Sequence, residues 1–138
     1  MQKSIITTVF ATLMLLFISY NSNGQNSKTE TAKSNSTSTI QVIQFHSEHR
    51  CMTCNLIEKL TRETLQKYPE ITFTLINVDE NKNEKIAEKF EATGTALFLY
   101  NSKTGAKKDL TDFAFMNANS NEAKFKKGLE NEIIAFKK

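Results

Sequence analysis

Tryptophan is absent from this chain, proline occurs once and glycine four times in 138 residues. So small a supply of Gly and Pro excludes a collagen-like or Pro/Gly-rich fibrous chain. There is no Gly-rich phosphate loop, so neither a flavin nor a nicotinamide motif is visible, and no cofactor is expected. A one-signed charge excess is lacking as well. The 18 basic and 15 acidic side chains leave a formal charge of +3, whereas a dedicated nucleic-acid binder carries a strong basic excess. The two cysteines are too few for the disulfide framework of a small secreted domain. The length suits one domain and excludes a large multidomain enzyme.

What is present begins with an address. Lys3 is the only charge before Lys28, and residues 5–20 form an uncharged, mainly apolar stretch containing Ile5, Ile6, Val9, Phe10 and Leu13 to Ile18. The stretch is shorter than the roughly 20 apolar residues of a bilayer-spanning helix. A basic start, an apolar middle and small residues at Ser22 and Gly24 are the pattern of a secretory signal peptide over residues 1–24, cut before Gln25. The expected location is therefore exported, periplasmic or extracytoplasmic, with no stable membrane span after cleavage. An uncleaved N-terminal anchor is the alternative. Residues 25–39 contain Ala32 as their only apolar residue. Such a segment buries too little surface to offset its ordering entropy, and it reads as a disordered linker. Residues 40–138 then form one domain.

Along that domain, residues 40–46 alternate apolar and polar side chains, with one doubled apolar position, as a strand does. Leu56, Ile57, Leu60, Leu65 and Tyr68 recur at near-helical spacing over residues 52–68, and Pro69 ends that helix. Residues 71–78 are β-branched and aromatic, a second strand. Ile86, Ala87 and Phe90 give one stripe on a short helix, and residues 96–100 are a near-continuous apolar run typical of a buried strand. Turn residues around Gly105 lead into a returning strand over 106–111. Phe125, Leu129, Ile133 and Phe136 make the apolar face of a closing helix from about Glu122, which Gly128 weakens. Phe113, Phe115 and Met116 form an apolar cluster in the connection before it. The charges of that helix, with Lys124, Lys126, Lys127, Lys137 and Lys138 interleaved with Glu122, Glu130 and Glu132, suit a solvated face. The order β-α-β-α-β-β-α argues for an α/β fold with a central mixed sheet flanked by helices.

Cys51-Met52-Thr53-Cys54 falls where the first strand feeds the first helix. Unsatisfied amides and the helix dipole at that end stabilise a thiolate on Cys51. His49 and Arg50 are placed to add positive potential. Cys54, three residues on, shares the helical face of Cys51 and lies within bridging reach, one turn deeper. This asymmetry suits two-step exchange, in which Cys51 attacks a disulfide and Cys54 then releases the substrate. Cys51 and Cys54 are thus the candidate catalytic residues, and protein thiols or disulfides the candidate partners. Two other readings stay open. One is a plain stabilising disulfide, although so short a loop constrains the unfolded chain little. The other is a metal site built from His46, His49, Cys51 and Cys54, which supply suitable ligand types, although the second ligand pair of a zinc site is usually further along the chain.

Taken in order, Gln44-Phe45-His46, the Cys51–Cys54 motif, the segment from Leu75 to Asn81, Ala87-Glu88-Lys89-Phe90 and the run from Thr93 to Tyr100 resemble the thioredoxin-like superfamily across nearly all of residues 40–138. The resemblance implies a thioredoxin-like fold and a thiol-disulfide oxidoreductase activity. More narrowly, residues 45–54, Asn77-Val78-Asp79 and the charged C-terminal helix look like a short thioredoxin-like family known as a nitrophenyl-compound nitroreductase subunit. That likeness implies an accessory chain docking to a larger, flavin-bearing enzyme. There are departures from the superfamily pattern. Ala96 stands where thioredoxins carry the cis-proline that helps present substrate and blocks metal at the dithiol. Gln44 stands where they carry a buried Asp for proton transfer, and Arg50 replaces the usual Trp before the motif.

Overall fold

The structure, a computed structural model, describes residues 38–138. The expected signal peptide, and the linker up to residue 37, lie outside the described residues. Strands β1 (Ile40–His46), β2 (Thr72–Asn77), β3 (Ala96–Asn101) and β4 (Lys107–Asp109) alternate with helices α1 (Met52–Leu65) and α2 (Glu84–Phe90), and helices α3 (Thr111–Ala118) and α4 (Glu122–Phe136) follow. A short 3-10 turn, Asn81–Asn83, leads into α2. The sheet order is β2-β1-β3-β4. β1 runs parallel to β2 and antiparallel to β3, which pairs antiparallel with β4. This is the expected α/β class, a central mixed sheet flanked by helices. Among the described residues no helix is long and apolar enough to cross a membrane.

The alternation in β1 divides its side chains between two cores. Val42, Leu97 and Leu99 face α1, α3 and α4, where Ile57, Leu60, Ala114, Ala118, Phe125, Leu129 and Ile133 meet them. Ile43, Phe45 and Phe98 face the opposite way, onto Ala87, Phe90 and Ala92. Gln44 falls on the α1 side with Val42 and is wholly buried, its β-partners being Leu75 and Leu97. The central strand therefore carries a polar side chain into the interior at the level of the cysteine motif.

The boundaries differ from the expectation in three places. Helix α1 stops at Leu65, not Tyr68, because the chain tightens into i→i+3 turns from Lys67 N–H to Thr64 O and from Tyr68 N–H to Leu65 O before Pro69 is reached. The returning strand is only Lys107–Asp109. A helix then begins where the strand was expected to continue. Asp109 Oδ1 accepts from Thr111 N–H at 2.7 Å, and the Thr111 hydroxyl accepts from Leu97 N–H at 3.1 Å. The connection read as an apolar cluster is thus helix α3, so two helices close the fold. Ala114 and Ala118, one turn apart, form its buried side, while Phe115 and Met116 are exposed.

The seam between α3 and α4 explains Gly128. A Cβ there would come within 2.5 and 2.6 Å of the Phe113 ring, which itself stacks on Phe125 with centroids 5.6 Å apart. The glycine that weakens α4 locally is what allows α3 to pack against it. Helix α4 is tied to α1 and the turn after it by Lys126–Glu63 at 3.0 Å, Lys67–Glu130 at 2.5 Å and Lys137–Glu70 at 2.6 Å.

Candidate active site

Cys51 is the N-cap of α1, with extended backbone angles, and its Sγ accepts the N–H of Cys54 at 3.2 Å. One of the orphan amides of the helix start is thereby satisfied by sulfur. Cys51 and Cys54 form a disulfide with Cα atoms 5.2 Å apart. The two ends of the bond differ in surroundings. Cys51 is exposed, whereas Cys54 is 4% exposed, beneath the first turn. The pairing and the outward–inward asymmetry expected from the sequence are both present.

Three side chains from other elements hold this corner. The Gln44 amide donates from Nε2 to the Cys54 carbonyl at 2.9 Å, joining β1 to α1 directly under the motif. Its Oε1 is buried and has no hydrogen-bond partner, a condition that costs about 1–3 kcal/mol. The hydroxyl of Thr95, from the loop that enters β3, donates to Cys54 Sγ at 3.1 Å. Asn119, just past α3, donates from Nδ2 to Thr53 Oγ1 at 2.6 Å. This last bond brings the end of α3 against the start of α1. Met52 (88% exposed) is next to Cys51, and Phe115 (40%) and Met116 (75%) lie one turn before Asn119. Among the described residues, three of the four exposed large hydrophobic side chains therefore belong to the elements that meet at this corner.

Arg50, directly before Cys51, is ion-paired. Its Nη1 pairs with Glu58 at 2.6 Å, and Arg62 reaches the same carboxylate at 2.8 Å. Partial burial pushes the Glu58 carboxyl up, but the hydrogen bonds and charges of Arg62 and Arg50 outweigh it, so its pKa lies below the ordinary glutamate value. Arg50 thus anchors the loop before Cys51 to the second turn of α1. His49 is exposed, and His46 Nδ1 lies 2.9 Å from the Ser47 carbonyl oxygen. Among the described residues no group of three or more His, Cys, Asp or Glu is placed to hold a metal ion. The set His46, His49, Cys51 and Cys54 is not assembled as a metal centre.

No peptide bond among the described residues is cis, so Ala96 follows Thr95 through a trans bond. Beside it opens a cleft of about 450 Å³ whose walls include Glu91, Thr93, Thr95, Asp109 and Asp112. Neither cysteine lines the cleft, and Thr95 in its wall touches the dithiol. Thr95 and Asn119 belong to no motif in the sequence. The place of Thr95 directly before Ala96, at the start of the strand facing the motif, was the available signal.

No family model matches the chain, and no curated protein matches it. Solved structures do. Thioredoxin O2 of Arabidopsis thaliana in its oxidised state is 26% identical, with a TM-score of 0.42 over 50% of this chain and 58% of that one. Fasciola hepatica thioredoxin is 24% identical, with a TM-score of 0.41 over 51% and 64%. Mitochondrial thioredoxin 3 of Saccharomyces cerevisiae, oxidised, is 25% identical, with a TM-score of 0.43 over 67% and 81%. The chain therefore spans less than two thirds of the first two. Its fold class stands on its own sheet order and register.

Proposed function

We propose that this chain is a thiol-disulfide oxidoreductase that exchanges a pair of electrons through Cys51 and Cys54, with protein thiols or disulfides as its reaction partners. The observation that carries the reading is one bond with two unlike ends: an exposed sulfur at a helix N-terminus joined to a shielded one. In the reduced protein the amide of Cys54 and the helix dipole favour a thiolate on Cys51. That thiolate attacks a substrate disulfide, a mixed disulfide forms on Cys51, and Cys54 attacks Cys51 Sγ to release the substrate as a thiol. The two electrons given to the substrate come from the dithiol, which ends as the disulfide seen here.

Cys51→Ser tests the proposal. Turnover of a synthetic peptide disulfide should fall to the uncatalysed rate, and wild-type protein no faster than that rate would refute it. The accessory role in a nitroreductase system is a second, separate proposal. The exposed Met52, Phe115 and Met116 suit a docking face. Capture of a flavoprotein by a Cys51→Ser/Cys54→Ser variant would favour docking over exchange. Export rests on the sequence of residues 1–24, and mass spectrometry finding Met1 on protein outside the cytoplasm would refute cleavage.

A further inference from the structure

Each sulfur of the disulfide has its own hydrogen-bond donor, and the two donors differ in kind. Cys51 Sγ takes the backbone N–H of Cys54, which any helix N-terminus provides. Cys54 Sγ lies inside the first turn and takes the Thr95 hydroxyl at 3.1 Å. Gln44, the polar side chain beneath the motif, is bonded through Nε2 to the Cys54 carbonyl oxygen. A glutamine has no proton to exchange near neutral pH. The chain thus has an amide at Gln44 in contact with the Cys54 carbonyl and a hydroxyl in contact with the inner sulfur, on the loop that enters β3.

We infer that Thr95 is a positioning residue for the exchange reaction, its hydroxyl donating to Cys54 Sγ and stabilising that sulfur whenever it carries the electron pair. The inference rests on the oxidoreductase reading above and assigns the inner half of that site. When a thiolate of a reducing dithiol attacks Cys51 Sγ, a new S–S bond forms to Cys51. The Cys51–Cys54 bond breaks, and its electron pair leaves on Cys54 Sγ. The departing thiolate is held by the Thr95 O–H until it takes a proton from solvent. The second thiol of the reductant then displaces Cys51, so the reductant ends as a disulfide and the protein as a dithiol. In the opposite direction the same hydrogen bond keeps Cys54 available as thiolate to attack a mixed disulfide on Cys51. Hydrogen bonds to charged groups are stronger than those to neutral sulfur, so the contact favours the reduced, charged sulfur over the disulfide. A better-stabilised leaving thiolate departs faster.

Thr95→Val keeps the shape of the side chain and removes the donor, while Thr95→Ser keeps the donor. Full-length wild type and both variants are equilibrated with a dithiol/disulfide redox buffer, and the rate at which a small thiol opens the disulfide is followed in parallel. For Thr95→Val the opening rate should fall about tenfold. Its equilibrium should shift several-fold towards the disulfide, by up to about 30 mV per tenfold change for a two-electron couple. Thr95→Ser should stay within about twofold of wild type, since it retains the hydroxyl. A Thr95→Val protein that matches wild type in both rate and potential overturns the inference, as does a Thr95→Ser protein that behaves like Thr95→Val. Failure of the parent reading looks different. Wild type would then open and close no faster than an unstructured peptide carrying the same motif, whatever the variants do to the potential.

Discussion

The two faces of the sheet are built from different materials. Under α2 lies an aromatic cluster: Phe45, Phe90 and Phe98 meet with ring centroids 5.1 to 5.9 Å apart, and Tyr100 adds an edge contact at 5.2 Å. Among the described residues, no buried polar side chain belongs to it. Under α1, α3 and α4 the core is largely aliphatic and admits buried Gln44, Thr61, Thr64 and Asn117. Two of these, Gln44 and Thr61, keep side-chain oxygens without a partner. The first face is held together by apolar and aromatic contacts. The second gives up part of its cohesion at Gln44, under the dithiol, and again at Thr61 and Thr64 in the last turns of α1 and at Asn117 on α3.

That contrast can be broken from either side. The largest stability effect should come from Phe90→Ala, which removes the ring touching Phe45, Phe98 and Tyr100. A loss of about 3–5 kcal/mol in denaturant unfolding is expected, with the potential of the Cys51–Cys54 couple unchanged in the folded fraction. A shifted potential would mean that the two faces are coupled through the sheet.

Gly128→Ala probes the other face. On helix propensity alone it should stabilise α4 by about 1 kcal/mol. Because the new methyl meets the Phe113 ring, a net loss of about 1 kcal/mol is expected instead. A raised melting temperature would show that the ring moves aside freely.

The smallest effect belongs to Glu58. Its carboxyl pKa is lower in the folded chain than in the unfolded one. The stabilisation is therefore complete above the ordinary glutamate value and is lost as pH falls through the folded value. Glu58→Gln should flatten the acid side of the stability profile by no more than about 1 kcal/mol, given its partly solvated setting. An unchanged profile would remove Arg50–Glu58–Arg62 as an anchor of the Cys51 loop.

Sequence patterning and structure agree where one physical signal dominates. β1 is patterned as a strand, with Val42-Ile43 a doubled apolar position, α4 repeats Phe125, Leu129 and Ile133 on one face, and a Cys-x2-Cys motif at a strand-to-helix junction places both sulfurs on one turn. Helix α3 escaped because its apolar residues point both ways: Ala114 and Ala118 are buried while Phe115 and Met116 are exposed, so no stripe forms. The Arg50–Glu58 pair has no signature in the sequence, because its partners lie eight positions apart across the loop-to-helix boundary. Thr95 carries only a positional signal in the sequence, its place directly before Ala96. It is 41 positions from Cys54, and only the pairing of β3 with β1 brings it to the sulfur.

Mixing Cys54→Ser protein with a synthetic peptide disulfide and weighing the intact chain gives a single decisive reading. A persistent peptide adduct on Cys51 is expected, because the exposed sulfur attacks and the inner one is no longer there to release the product. Absence of that adduct, with Cys51→Ser protein forming one on Cys54 instead, would contradict the division of labour between the two sulfurs.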